Sequence, residues 1–198
     1  MNTHYLRDIL SAKQKEMDKV AIFVDGGGFF YVGKAVDAKF GKQLDFEKFC
    51  RKLCGERKLI RAYFCNALPS QEKEPDAYRE SLSYMTRLEY IPYVEVSRSW
   101  LTYPPDGGKP VQKGVDMRVA LHMVKLAYNN AYDVAILVTG DADLVEAVRT
   151  VKDLGKQVEY VYCPDVMKAT SLVKVSDLSI EIDMKWLEDC LVEEEKSN

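Results

Sequence analysis

Short apolar runs rich in β-branched residues alternate along this chain with longer amphipathic stretches, and no other feature constrains the fold as strongly. Strands that alternate with helices of this length predict βαβ units and a parallel sheet. The runs AIFV at 21–24 and VAILV at 134–138 are apolar throughout, as expected for central strands covered on both faces. We therefore predict an α/β fold with a central, mostly parallel sheet flanked by helices.

The boundaries of the elements follow from the hydrophobic period and from turn residues. The predicted strands are Val20–Asp25, Leu59–Cys65, Tyr90–Val96, Asp133–Thr139, Gln157–Tyr162 and, more weakly, Leu178–Ile182. The predicted helices are Phe29–Ala38, Phe46–Cys54, Glu74–Glu89, Val115–Asn129, Ala142–Leu154, Val166–Val173 and Met184–Glu194. We expect residues 1–18 to be a helical extension (roughly Tyr5–Met17), 19–185 the main domain, and 186–198 a helix end with an acidic tail.

One stretch, residues 97–113 (SRSWLTYPPDGGKPVQK), interrupts the alternation. Its centre, 104–108, combines two prolines, an aspartate and two glycines, which is strong turn chemistry. The flanks can pair as a small hairpin that projects from the sheet. The hairpin would carry aromatic and cationic side chains, namely Arg98, Trp100, Tyr103, Lys109 and Lys113.

Composition narrows the function classes. The 198 residues carry a net charge of −3, which is not the basic balance of a protein that coats nucleic acid. An enzyme that holds a few phosphates and lets metal ions carry the positive charge stays compatible with it. The charged N-terminus lacks an apolar signal region, no apolar run approaches the ~20 residues of a membrane span, and the odd cysteine count indicates reduced thiols. We expect a cytoplasmic protein without membrane association.

Aspartates follow two of the predicted strands and begin one predicted helix. Asp25 ends AIFVD, Asp141 and Asp143 follow AILVTG, and Asp116 begins the helix after the hairpin. Ligands of open parallel sheets bind at the carboxyl ends of the strands. Carboxylates gathered there repel one another unless a cation lies between them, and Mg²⁺ and Mn²⁺ prefer such oxygen ligands. The pattern predicts the metal centre of a phosphodiesterase.

Simpler readings exist for some of these residues. Asp141 and Asp116 could each cap the helix that follows, whereas Asp25, at the end of an apolar strand, is costly without a partner. The glycines after Asp25 do not complete a dinucleotide fingerprint, because Tyr31 stands where its third glycine is needed. His122 lies six residues after Asp116, about 120° around the helix, so we expect a packed or surface histidine there.

Three segments together resemble a known family. They are VAIFVDGGGFFYVGKAV, KPVQKGVDMRVALHMVKLA and YDVAILVTGDADLVEAVRTVKDLGKQVEYVY, and they resemble the NYN domain, specifically its LabA/DUF88 branch. The resemblance implies a PIN-like, Rossmannoid three-layer fold and Mg²⁺- or Mn²⁺-dependent ribonuclease activity that leaves a 5′-phosphate and a 3′-hydroxyl. The family's acidic cluster, which is catalytic and binds metal, then falls on Asp25, Asp116, Asp141 and Asp143.

The sequence departs from the family at two positions. Gly28 stands where the family usually has an asparagine that helps to organise the site, and His122 stands where many relatives have an aspartate. Two hypotheses follow: an endoribonuclease acting on single-stranded RNA, or a catalytically weak or inactive NYN-type domain that serves as a regulatory RNA- or protein-binding module. Retention of all four aspartates favours the enzyme, because a pure binding module has no use for charge that repels RNA.

The residues predicted to bind substrate combine cations with an aromatic ring, as is common for single-stranded nucleic acid. They are Lys113, Arg118, Arg98, Lys109 and Trp100, with Tyr103 as a second ring. Lys113 is the strongest candidate because it lies three residues before Asp116. The alternative, of equal weight, is that the hairpin's aromatic side chains cover its own base. A homodimer is left open by the sequence.

Overall fold

The computed structural model describes residues 17–193, in which strands and helices alternate as predicted. The strands are β1 (Lys19–Asp25), β2 (Lys58–Leu68), β3 (Val94–Thr102), β4 (Val111–Gln112), β5 (Val134–Val138), β6 (Gln157–Tyr162) and β7 (Leu178–Glu181). The helices are α1 (Gly26–Phe40), α2 (Phe46–Cys54), α3 (Pro75–Glu89), α4 (Val115–Tyr128), α5 (Val145–Asp153), α6 (Thr170–Val175) and α7 (Met184–Glu188), with a 3₁₀ turn, Ala142–Leu144, before α5.

The sheet has the strand order β4-β3-β2-β1-β5-β6-β7, and every pairing is parallel except that of β4 with β3. On one side of the sheet the strands run outward from β1 through β2 and β3 to β4. On the other side they run outward from β5 through β6 to β7. The strand order therefore reverses between β1 and β5, and the crevice at their carboxyl ends is where ligands of such sheets bind. Val24 pairs with Val138, so the chain leaves both strands at the same level.

Two hydrophobic layers cover the two faces of the sheet. Successive residues of β1, such as Ile22 and Phe23, are fully buried and point into different layers. The layer of Ile22 includes α1, α2, α3 and α7, and the layer of Phe23 includes α4, α5 and α6. Burial on both faces explains why the run is apolar without alternation. The predicted α/β class is confirmed, because a mostly parallel sheet lies between two layers of helices.

Several boundaries differ from the prediction because caps, turns and packing override propensity. Helix α1 begins at Gly26, directly after β1, since Asp25 caps it. The third strand begins at Val94, because the chain first turns through Tyr93 at a φ of 65°, and it continues to Thr102. The predicted hairpin is present, with Leu101 paired to Gln112 in β4.

The last part of the described chain also differs. The helix predicted to reach Glu194 ends at Glu188, and Leu191 then forms a bridge with Leu44. Helix α6 begins at Thr170, because the preceding residues form a turn closed by a bridge between Cys163 and Met167. All of the predicted N-terminal helix except its last residue, Met17, lies outside the described residues. None of the helices within 17–193 has the length and apolar character that a membrane crossing requires.

Candidate metal centre

Thr139 connects the aspartates that follow the two central strands. Asp25 caps α1 by accepting a hydrogen bond from Gly27 N at 2.9 Å, and its second oxygen accepts one from Thr139 Oγ1 at 3.1 Å. The same hydroxyl oxygen of Thr139, which is fully buried, accepts a hydrogen bond from Asp141 N at 3.0 Å. One side chain therefore links the residues that follow the paired ends of β1 and β5.

Three of the four aspartates converge beside this link. One carboxylate oxygen each of Asp116, Asp141 and Asp143 lies within 4.8 Å of the other two. Asp141 also caps the 3₁₀ turn by accepting a hydrogen bond from Asp143 N at 2.9 Å, so capping and clustering coexist. Helix α4 has Gly114 at its N-cap and no side-chain capping bond, so Asp116 does not cap it.

The pKa of Asp25 is raised, above all because the side chain is buried, and the charge of Asp141 adds to the effect. The hydrogen bonds from Gly27 and Thr139 oppose this change. Burial thus disfavours the ionised form of a carboxylate that faces another acidic group. Asp25 is close to Asp141 without belonging to the group of three whose oxygens converge.

The three converging carboxylates fit Mg²⁺ or Mn²⁺ in chemistry. The donors are all oxygen, without a nearby thiol or imidazole in the group, which favours hard cations over zinc. Asp116 and Asp141 are partly buried and Asp143 is exposed, so the group opens to solvent. Mg²⁺ usually keeps several waters when it is bound by one or two carboxylates, and an open site allows this.

The three glycines after Asp25 are explained by packing. A Cβ at Gly26 would lie 2.6 Å from Asn66 Cβ, one at Gly27 would lie 2.7 Å from the amide of Gln112, and one at Gly28 would lie 2.9 Å from Met167 Sδ. Side chains from β2, β4 and the turn before α6 therefore press against the first turn of α1. None of the three glycines has a positive φ. Glycine at these positions lets the neighbouring side chains approach the backbone closely. The three residues are helical and do not form a phosphate-binding loop.

A groove runs between the hairpin and α4. It has a volume of about 480 Å³ and is lined by Ser99, Trp100, Lys113, Gly114, Met117, Arg118 and Leu121. Three of the residues predicted to bind substrate, Lys113, Arg118 and Trp100, thus lie together. Asp116 falls in the chain between two lining residues, Gly114 and Met117.

The remaining hairpin residues lie elsewhere. Arg98 forms an ion pair with Glu89 at 2.8 Å, and Lys109 is exposed in the hairpin's turn without lining the groove. Tyr103 Oη accepts a hydrogen bond from Ser70 N at 2.8 Å, so this ring fastens the hairpin to the domain. Trp100 stacks on Tyr78 and yet stays 61% exposed. Both rings therefore contact the part of the domain at 70–78, and base stacking by the exposed part of Trp100 stays a prediction.

His122 is a packed histidine. Its ring stacks on Tyr63 with centroids 4.7 Å apart, and its Nε2 lies 3.2 Å from Ser97 Oγ. Burial lowers the pKa of His122. It has no place in the group of three carboxylates.

Sequence reasoning missed Thr139 and Met167 as part of the site. The available signal for Thr139 was its polarity at the end of VAILV, which parallels that of Asp25 at the end of AIFV. Met167 carried no signal, because its contact with Gly28 joins segments far apart in the chain.

The mostly parallel sheet, with acidic groups gathered at its switch point, is consistent with a PIN-like three-layer fold. In agreement, the family model of the NYN domain matches residues 19–183, and the chain belongs to this family. The crystal structure of a protein of unknown function from Vibrio parahaemolyticus is similar, with a TM-score of 0.61 and 19% identity over 91% of this chain and 99% of that one. This likeness shows the fold alone. No curated protein matches the chain, and the LabA/DUF88 branch stays a prediction.

Proposed function

We propose that this protein is a Mg²⁺- or Mn²⁺-dependent endoribonuclease that hydrolyses single-stranded RNA. The observation that carries the proposal is the convergence of Asp116, Asp141 and Asp143 within 4.8 Å, beside a groove that presents Lys113 and Arg118. Carboxylates alone would repel a phosphodiester, and cations alone would bind it without cleaving. Their adjacency supports an enzyme over a binding module.

Each acidic residue has a proposed role. Asp116, Asp141 and Asp143 would hold the divalent cation. Such a cation would neutralise charge on the phosphodiester and make a water molecule more acidic. Asp25 supplies a fourth carboxylate, which either completes the ligand set or orients Asp141 through Thr139.

The groove supplies the proposed substrate contacts. Lys113 and Arg118 would meet phosphates, and the exposed ring of Trp100 would stack on a base, which suits a single strand because its bases are unpaired. Lys109 would add a long-range attraction from the hairpin's turn, whereas the ion pair of Arg98 with Glu89 leaves it a supporting role. Products with a 5′-phosphate and a 3′-hydroxyl, a cytoplasmic location and a homodimer belong to the same proposal.

The test is a cleavage assay with a labelled, unstructured RNA and a DNA of the same sequence. The wild type with Mn²⁺ should cut the RNA, EDTA should stop the reaction, and Asp141→Asn should abolish it. Asp106→Asn is the matched control, because Asp106 is exposed in the hairpin's turn, outside the carboxylate group. Binding of RNA without cleavage under every metal would favour the regulatory binding module instead.

A further inference from the structure

The side chain of Met167 lies between the two turns that carry the strand-end aspartates. A Cβ at Gly28 would meet Met167 Sδ at 2.9 Å, and a Cβ at Gly140 would meet Met167 Cγ at 3.1 Å. Gly28 lies three residues after Asp25, and Gly140 immediately precedes Asp141. One thioether side chain therefore touches both turns, and both turns lack side chains at the contact.

The position of Met167 is itself fixed. Its N–H donates to Cys163 O at 2.8 Å, Cys163 N donates to its carbonyl at 2.9 Å, and only 2% of the residue is exposed. Two residues later, Ala169 N donates to Tyr160 Oη, which in turn donates to Thr139 O at 3.0 Å. These bonds fix the backbone of Met167, and its buried side chain would lose packing contacts if it moved away from Gly28 and Gly140.

We propose that Met167 is a positioning residue of the metal centre, whose side chain sets the spacing between the turn after Asp25 and the turn before Asp141. This inference rests on the proposed function to the extent that the carboxylates bind a cation. Groups that orient metal ligands typically change metal affinity when they are removed, although they never touch the metal. Met167 would act through backbone spacing in the same sense.

The contact also means that the residue tolerated at position 28 depends on the residue at position 167. A side chain at Gly28 would require the side chain of Met167 to shift. We expect asparagine at position 28 to fit more easily beside a smaller residue at 167. The departure from the family at Gly28 is thus coupled to the residue that fills the same space.

The experiment compares Gly28→Ala, Met167→Ala, the double variant and Met167→Leu with the wild type. Met85→Ala is the matched control, because Met85 is fully buried on α3, outside the contacts of Gly28 and Gly140. The melting temperature is measured without metal, and the Mn²⁺ dissociation constant is measured by titration without RNA. Neither readout depends on catalysis.

We expect Gly28→Ala to lower the melting temperature in the wild type and to lower it much less in the Met167→Ala background, because the clash is then relieved. Met167→Ala should weaken Mn²⁺ binding about tenfold, and Met167→Leu should restore most of the affinity, since its volume is similar. Met85→Ala should lower the melting temperature while the Mn²⁺ constant stays at the wild-type value.

Additive effects of Gly28→Ala and Met167→Ala on melting, together with wild-type Mn²⁺ affinity in Met167→Ala, would overturn the positioning role. So would equal losses of affinity in Met167→Ala and Met85→Ala. If the wild type binds Mn²⁺ and leaves RNA intact, the nuclease proposal fails while the positioning role is still decided by these variants. If the wild type binds no Mn²⁺, both fail.

Discussion

Thr139 Oγ1 donates a hydrogen bond to Asp25 Oδ2 across 3.1 Å and so ties the end of β1 to the residue that follows β5. The same oxygen accepts a hydrogen bond from Asp141 N. This buried hydroxyl connects the two strand-end aspartates, and it lies where the strand order of the sheet reverses.

Thr139→Val should weaken both the fold and the metal centre. Valine keeps the shape of threonine but leaves Asp25 Oδ2 without its donor and Asp141 N without its acceptor, which should cost about 1–3 kcal/mol of unfolding free energy. Mn²⁺ affinity should fall roughly tenfold. Urea denaturation and Mn²⁺ titration measure the two effects, and Thr139→Ser, which keeps the hydroxyl, is the control. Wild-type values in Thr139→Val would show that the link is incidental.

Asp141→Asn should stabilise the metal-free protein. Asparagine caps a helix as well as aspartate does, so the bond from Asp143 N can persist while repulsion from Asp116 and Asp143 is removed. We expect a gain on the order of 1 kcal/mol, which corresponds to partly screened charges near the surface. Melting temperatures in EDTA and in Mn²⁺ check this: Mn²⁺ should raise that of the wild type more than that of the variant. Equal shifts would argue against Asp141 as a ligand.

Lys113→Ala and Arg118→Ala should each weaken RNA binding and flatten its salt dependence. Each cation that contacts a phosphate adds close to one unit to the slope of log K against log salt. Binding is measured by fluorescence anisotropy at several KCl concentrations in the Asp141→Asn background, which prevents cleavage. Lys109→Ala, outside the groove, should change the slope less than either of these variants. A larger effect at Lys109 than at Lys113 would move the binding surface to the hairpin's turn.

His122 should make the protein less stable in mild acid. Burial is the main cause of its lowered pKa; Glu95 opposes the change, and Lys125 and Arg118 add to it. The folded state therefore binds the proton less tightly than the unfolded state does. The stabilising contribution is present above the unfolded pKa of about 6.5 and is lost as the pH falls through the lower folded pKa.

His122→Gln should remove that part of the pH dependence, since glutamine can bond to Ser97 and does not titrate. Urea denaturation at a series of pH values from about 7.5 down to about 5 compares the two chains. The wild type should lose more unfolding free energy across this window than the variant. Parallel curves would assign the acid sensitivity to other groups.

The sequence was sufficient to predict the fold because its signals are local. AIFV and VAILV predicted central strands, and residues directly after them predicted the acidic edge at Asp25 and Asp141. Several of the failures share one cause, which is contact between segments far apart in the chain. Glycine is a poor helix former, so α1 was expected to begin at Phe29, yet Asn66, Gln112 and Met167 pack on Gly26–Gly28 and Asp25 caps the turn.

The candidate site divides in the same way. The types of ligand follow from the sequence: all four aspartates were predicted to meet, and Asp116, Asp141 and Asp143 do lie together, whereas Asp25 lies outside their group. The contacts of Thr139 and Met167 do not follow from the sequence, because they depend on the assembled sheet. The third strand was misplaced for a related reason: Ser97 and Ser99 are too polar to indicate a strand, but they face the His122 side of the sheet and pair with β2.

The central claim is that Asp116, Asp141 and Asp143 bind a divalent cation, and a crystal soaked in Mn²⁺ tests it most directly. Anomalous scattering should show a Mn²⁺ ion within about 2–2.5 Å of carboxylate oxygens from these residues, and the peak should disappear in Asp141→Asn. A wild-type crystal saturated with Mn²⁺ that shows no ion there, or shows it only at other carboxylates, would contradict the claim.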